Sequence, residues 1–422
     1  MVDNLLRTGT NLGVPGEIIA NQPAEIHWAP YVQAELPAGA IPFIQIEGNP
    51  GRTEIQLTPE LLRGYPPKIL TDQEIRSKAI ALINLLLSQP ERENAIVIAH
   101  HYIAGTLASM AKNISSFPLV YIPHNMHIFT DTDSWSRIAR RHSLESARYF
   151  TRHVTIPIRN SNLIIFPTEA EITIFREKMG DGIGGSSLAP YLDYTVHVPW
   201  GVDHKIFNKG LRSKENKIKS RERLQIPKDA LVFGFNGRIH PVKNIELIID
   251  AFDELTRAYP NENLYFALIG GESESLTNEN SYLSSLQQRI DSKNNPQLAR
   301  NLRFFGPRFP QTFLPAVDVM VQPSHYESWG LSVTEAMACG IPVVVSDTPI
   351  MREVTGNGQK YISPSDSKTL TQAMEDFLKT PELITSQGNI AHKIAANYQW
   401  ETSFLTLLSH LRQQGLSKNF PI

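Results

Sequence analysis

A single cysteine in 422 residues, Cys339, rules out an intrachain disulfide and any zinc site built from several thiolates. No apolar run approaches the roughly 18–20 residues that a membrane-spanning helix needs. Met1 is followed by Val-Asp-Asn rather than by a basic stretch and an apolar core, the pattern expected of a chain without a secretory leader. Charge of one sign is also missing: 40 Lys and Arg stand against 42 Asp and Glu, a formal net charge of -2. Nothing global therefore drives the chain towards nucleic acid or an anionic membrane. The phosphate-loop fingerprint G-x-x-x-x-G-K-[ST] is absent, which argues against P-loop NTPases. The G-x-S-x-G elbow of serine hydrolases is absent too. What is present is apolar material, 41% of residues, enough for two or three domain cores at about 150 residues per domain. The expectation is a cytoplasmic protein of several domains.

Short apolar runs alternate with helix-like stretches. Candidate strands are Glu17–Ala20, Phe43–Ile46, Ala95–Ala99, Leu119–Ile122, Asn162–Phe166 and Thr195–Val198. Several are continuous rather than alternating, as suits parallel strands covered on both faces. Thr71–Leu87 has the spacing of a helix with one buried face. Lys209–Arg223 is rich in Lys and Arg and reads as a solvated linker or an exposed helix between two domains. A second series follows, with strands at Leu231–Phe235, Leu264–Ile269, Leu302–Phe305, Val317–Val321 and Pro342–Val345. Between them Asn244–Arg257 is a predicted helix with Asn244 as its cap. Phe404, Leu407, Leu408 and Leu411 form the apolar stripe of a last helix. Strands alternating with helices predict an α/β protein of two doubly wound, Rossmann-like domains with ligands beyond the carboxyl ends of the strands, in a cleft between the domains.

Two motifs carry chemistry. In VDVMVQPSHYESWGLSVTEAMACGIPVVV, residues 317–345, a strand leads through a loop holding Glu327 and Gly330 into a helix holding Glu335, and Gly340 stops that helix. Amides from Gly330 to Val333 open the helix and form an anion site at its positive end. In GFNGRIHPVKN, residues 234–244, Gly237 turns the chain after a strand, and Arg238 and Lys243 follow. Two cations beside a helix N-terminus suit a diphosphate.

In order and spacing these residues resemble the nucleotide-sugar half of a GT-B glycosyltransferase, in particular glycosyltransferase family 4, the glycosyl transferases group 1. The resemblance rests on Gly237-Arg238…Lys243 and on Glu327…Glu335-Ala-Met-Ala-Cys-Gly-Ile-Pro-Val-Val. It covers Leu231–Val354 and, more loosely, Ala95–Phe207. It implies a retaining, metal-independent transferase that moves a sugar from a nucleotide-diphosphate donor to an acceptor the sequence does not name. Arg238 and Lys243 would bind the donor diphosphate, Glu335 the ribose, and Glu327 the transferred sugar. Gly237, Gly270 and the amides of Gly330, Leu331 and Ser332 would line the donor site. His124, with Arg238, Lys243 and Glu327, is a candidate catalytic residue; a loop histidine held by hydrogen bonds is its bland alternative. His100, His101 and Tyr102 are acceptor-side candidates. The implied domains are 1–205 on the acceptor side, 206–399 on the donor side, and 400–422 as a helix crossing back to the first.

The family opens on a strand and a glycine-rich loop, whereas Met1–Gly13 reads like the middle of the following helix. Either that strand and loop are missing, or Gly9-Thr10-Asn11-Leu12-Gly13 serves as the loop. A missing loop keeps a second reading alive, a non-catalytic nucleotide-sugar-binding or scaffold protein. Trp200-Gly201-Val202-Asp203 resembles the family's Asn-Gly-Val-Asp turn, with Trp200 in place of the small polar residue. Asp131-Thr132-Asp133 is a D-x-D read as a solvated loop or cap rather than a metal site. The Arg-rich stretch Ser136–His153 is read as a solvated helix face, with peripheral contact to the inner face of a membrane as the sharper alternative. No metal, no other cofactor and no nucleic acid are expected; the oligomeric state stays open.

Overall fold

The computed structural model describes residues 96–113, 117–124, 154–180, 188–271 and 282–416. The expected strands Glu17–Ala20 and Phe43–Ile46, the helix Thr71–Leu87, Asp131-Thr132-Asp133 and Ser136–His153 lie outside these residues. The chain divides into two compact units with boundaries at Pro199/Trp200 and Gln399/Trp400, so that the helix Trp400–Gln413 is grouped with the first.

Among the described residues the first unit holds four parallel strands in the order β1 (Val97–His100), β2 (Leu119–Ile122), β3 (Leu163–Phe166) and β4 (Thr195–His197). Every residue of β2 and β3 is buried, as continuous β-branched and aromatic runs require of a sheet covered on both faces. Helix α1 (His101–Lys112) follows β1 directly, and α2 (Glu169–Gly180) follows β3.

The second unit has six parallel strands in the order β10-β9-β8-β5-β6-β7. From the central β5 (Leu231–Asn236) the chain builds outwards through β6 (Leu264–Ile269) and β7 (Leu302–Phe304). It then crosses to β8 (Val319–Gln322) on the other side of β5 and continues to β9 (Val343–Ser346) and β10 (Lys360–Ile362). The order therefore reverses between β5 and β8, and such a switch point opens a crevice at the carboxyl ends of the strands. β10 is a three-residue edge strand carrying Lys360 and Tyr361, too short and too polar to stand out in the sequence. One face of the sheet is covered by α4 (Ile245–Ala258), whose Ile245, Ile248, Ile249, Phe252 and Leu255 are all buried. Phe252 meets Phe266 of β6 edge-on, with ring centroids 5.6 Å apart.

Of the two readings of the basic run Lys209–Arg223, the exposed helix holds in part and the solvated linker does not. The second part of the run is helix α3 (Lys214–Arg223), packed onto the entrance to β8. Arg221 is only 2% exposed and donates to Asp318 Oδ2 at 2.6 Å, to Lys228 O at 2.6 Å and to Ala316 O. Lys217 reaches Asp318 Oδ1 at 2.6 Å, and Arg212 donates to the carbonyls of Val317 and Gly340. The amide of Val232 donates to Asp318 Oδ2 as well, tying the carboxylate to β5. The cause is the chain just before β8, which presents a buried carboxylate and carbonyls that need donors. Asn244 also departs from expectation. It stands at the cap position of α4 in the left-handed region (φ 56°), yet its side chain makes no cap bond. Its amide instead donates to Pro323 O and Pro364 O.

Removing one partner of a buried ion pair strands the other charge, at a cost of about 3–5 kcal/mol. Asp318→Ala should lower the stability of the second unit by about that amount in urea unfolding, and adding Arg221→Met should recover a large part of it. A loss below about 1 kcal/mol in the single variant would show that α3 does not depend on this pair.

Candidate active site

The loops leaving β5 and β8 are stitched together at the switch point. The amide of His325 donates to Val242 O at 2.9 Å, and the side-chain amide of Asn244 reaches Pro323 O at 3.1 Å. Lys243 Nζ lies 2.6 Å from Glu327 Oε1. On the other side of β5, Gly237 donates to Ile269 O, and Ile239 to Gly271 O. Gly270 adopts φ +146°, and a Cβ there would fall 1.7 Å from Gly237 O, so only glycine fits. Gly237 and Gly270 thus bring two strand ends into backbone contact. Arg238 projects from this seam, exposed and with no partner among the described residues.

Arg238 and Lys243 are therefore not equivalent. Lys243 is mostly buried and its charge is matched by Glu327, whereas Arg238 is the loop's unmatched cation among the described residues. Glu327 Oε1 accepts three bonds: from Lys243 at 2.6 Å, from Ser324 Oγ at 2.8 Å and from Gln322 Nε2 at 2.9 Å. Oε2 accepts none from the described residues. Burial works against the charge of Glu327, but Lys243 and the Ser324 and Gln322 donors outweigh it and hold the carboxyl below its usual range. Glu327 is thus a fixed carboxylate with one oxygen locked and one available. Gln322 and Ser324 escaped the sequence reading; the visible signal was a polar residue closing the apolar strand β8 and a serine two places on.

Helix α5 (Leu331–Ala338) starts two residues beyond Ser328-Trp329. Gly330 sets its entry at φ 83°, ψ 61°, a left-handed conformation suited to glycine. Gly330 O accepts from the amides of Val333 and Thr334, so Val333 is not a free donor, contrary to expectation. The amides of Gly330, Leu331 and Ser332 donate to no described group, and they stand at the positive end of the helix. Trp329, 3% exposed, braces this turn: its ring meets Tyr398 edge-on at 4.8 Å. Glu335 sits one turn further along α5, half-buried, with no side-chain partner among the described residues. Burial pushes its carboxyl up to about 8. Gly340 ends the helix at φ 73°, and beside it Cys339 is buried, its thiol pushed up to about 12 by that burial.

In the first unit, His100 ends β1 and His124 follows β2. His100 Nδ1 and His124 Nε2 lie 3.0 Å apart, and the rings stack at 5.3 Å with 10° between their planes. Burial lowers both rings, His124 to about 4 and His100 well below its ordinary value, so both are neutral at pH 7. The backbone of His101 and Tyr102 forms the first turn of α1; their side chains lie outside the described residues. Trp200 is a core residue, 4% exposed. Among the described residues no group of three or more His, Cys, Asp or Glu could hold a metal ion, and no helix is long and apolar enough to cross a membrane.

Residues 216–394 match the family model of the glycosyl transferases group 1. D-inositol 3-phosphate glycosyltransferase of Corynebacterium jeikeium is 25% identical over 80% of this chain and 77% of its own length. The protein of the same name from Kineococcus radiotolerans is 27% identical over 74% of this chain and 69% of its own. In fold, HepE of Anabaena, solved in complex with UDP-glucose, superposes with a TM-score of 0.64 at 20% identity, over 79% of this chain and 82% of that one. Sucrose-phosphate synthase from Thermosynechococcus elongatus gives 0.62 at 18% identity, over 82% and 81%. A switch point between β5 and β8, an open helix N-terminus and the Glu327–Glu335 pair thus stand inside the region that matches the glycosyl transferases group 1, and the chain has the GT-B fold of its structural neighbours.

Proposed function

We propose that this chain moves a sugar from a nucleoside-diphosphate sugar to a hydroxyl of its acceptor, with retention at the anomeric carbon and without a metal ion. One observation carries the reading: Glu327 keeps one oxygen locked and one open, and among the described residues the amides of Leu331 and Ser332 and the guanidinium of Arg238, on the same two loops, have no partner. As the glycosidic bond breaks, negative charge grows on the departing diphosphate. Arg238 and the α5 amides are preorganised donors for that charge. Lys243, held by Glu327, adds a cation whose position is fixed before the donor arrives. Glu327 Oε2 accepts a hydroxyl of the transferred sugar, and Glu335 meets the ribose diol. The acceptor hydroxyl loses its proton to the leaving phosphate oxygen as its own oxygen bonds the anomeric carbon on the face the phosphate leaves. The complex of HepE with UDP-glucose supports uridine as the first base to test. The name shared by the Corynebacterium and Kineococcus relatives supports a phosphorylated polyol as the first acceptor.

Thermal unfolding with UDP, GDP and ADP tests the donor site. A ligand at a hundred times its dissociation constant adds about 2.7 kcal/mol, a shift of several degrees in a unit of this size. One nucleotide should shift the midpoint selectively; no shift with any of them would remove the donor assignment. With the base known, product NMR should show the donor's anomeric configuration kept, and an inverted product would refute retention. In the same assay Arg238→Ala should lower kcat by about 10²–10³-fold, the cost of one preorganised donor, with an unchanged unfolding midpoint.

Glu335 makes donor binding depend on pH. Its pKa is raised to about 8 in the folded protein, so between the unfolded value and about 8 the folded chain holds a proton that the unfolded chain has released, and stability falls as pH rises through that window. A ribose diol donating to the carboxylate favours its charged form, so binding expels the proton. Nucleotide affinity measured by calorimetry should rise from pH 6 to 8, with proton release. Glu335→Gln should remove the component of that slope not due to the phosphates. An identical slope in both proteins would exclude Glu335 from the ribose site.

A further inference from the structure

The histidine pair of the first unit follows from strand register. β1 and β2 are parallel neighbours with His100 opposite Ile122, and His124 lies two residues past Ile122. The two imidazoles therefore emerge at the carboxyl edge of adjacent strands, stacked and joined nitrogen to nitrogen at 3.0 Å. Two neutral imidazoles at that separation share one proton in the bond. If His100 Nδ1 carries it, His124 Nε2 accepts, and His124 must carry its own proton on Nδ1. If His124 Nε2 carries it, His100 Nδ1 accepts, and His100 must carry its proton on Nε2. The two rings thus always hold the same tautomer, and their outer nitrogens always have opposite sense, one a donor and the other an acceptor.

We propose that His100 and His124 work as one proton-coupled unit, in which His100 is a positioning residue that sets whether His124 offers its outer Nδ1 as a donor or as an acceptor to a bound hydroxyl group. The catalytic consequence rests on the transferase reading above; the pairing rests on geometry alone. Among the described residues the titratable group facing each ring is the other ring, and no described carboxylate fixes the tautomer of either one. The bond between them is what remains to do it, as an outer partner does for a functional histidine in general. A sugar or polyol hydroxyl suits such a unit because it can donate or accept.

The test is ring-nitrogen NMR of the full chain labelled with 15N-histidine at pH 7, the two residues being assigned by the signals lost in His100→Asn and His124→Asn. Both rings should be neutral and protonated on the same nitrogen, and in His100→Ala the His124 signals should move to the other tautomer or to an average of the two. Different tautomers in the two rings, or His124 signals unchanged by His100→Ala, would overturn the proposal. In turnover, His100→Ala should lower kcat on the order of tenfold to a hundredfold with nucleotide affinity unchanged. His100→Asn, whose amide can still bond His124 Nε2, should restore most of the loss. An unaltered kcat in His100→Ala would refute the positioning role. A wild-type chain that transfers nothing would fail the transferase reading, while the nitrogen spectra would still decide the pairing.

Discussion

The ion pair between Lys243 and Glu327 joins residues 84 apart in sequence, and the geometry of the switch point depends on it. Taking both charges out of water is costly, and two charges alone rarely recover that cost. Here Glu327 Oε1 gathers two further donors from Gln322 and Ser324, so the carboxylate is held without free rotation. The same contact locks the loop after β5 onto the loop after β8, which flank the point where strand order reverses. Charge that would be wasted as a surface salt bridge instead fixes a rigid acceptor, Oε2, and leaves Arg238 as the loop's unmatched cation among the described residues.

The two glutamates of the motif differ in environment more than in position. Glu327 is surrounded by donors and stays ionised; Glu335, half-buried and without a side-chain partner among the described residues, is pushed up to about 8. Carboxylates whose surroundings push their protonation apart divide roles between them. Glu327 is ready before any ligand arrives. Glu335 takes up its charge only where donors replace the water that burial has removed.

Much of this was legible in the sequence because it is local. Leu119–Ile122 and Leu264–Ile269 are strands with the boundaries that their apolar runs mark, and the Glu327-to-Gly340 pattern places a loop, a helix and its stop in register. What could not be read depends on contacts across long separations. Lys209–Arg223 looked solvated because nothing near it in sequence reveals Asp318, 97 residues beyond Arg221. Asn244 looked like a cap because its neighbours are helical, yet its amide is drawn to two carbonyls supplied by other strand ends. Lys243 and Arg238 looked alike because both are cations of one loop; only the fold gives one of them a partner. His100 and His124 were separately visible, but their bond exists only because β1 and β2 pair in one register.

Tyr398 carries this logic to the place where the chain passes between its two units. Its carbonyl accepts from the amide of Val202 and lies 3.0 Å from His204 Nε2, while its hydroxyl donates to Val354 O. Val202 also bridges Gln399 in parallel, so the outgoing and returning segments of the second unit are bonded side to side. The ring of the same Tyr398 packs against Trp329, the residue before Gly330. The turn whose amides open α5 is thus braced on one side by the strand loops of the sheet and on the other by the segment through which the chain leaves the unit.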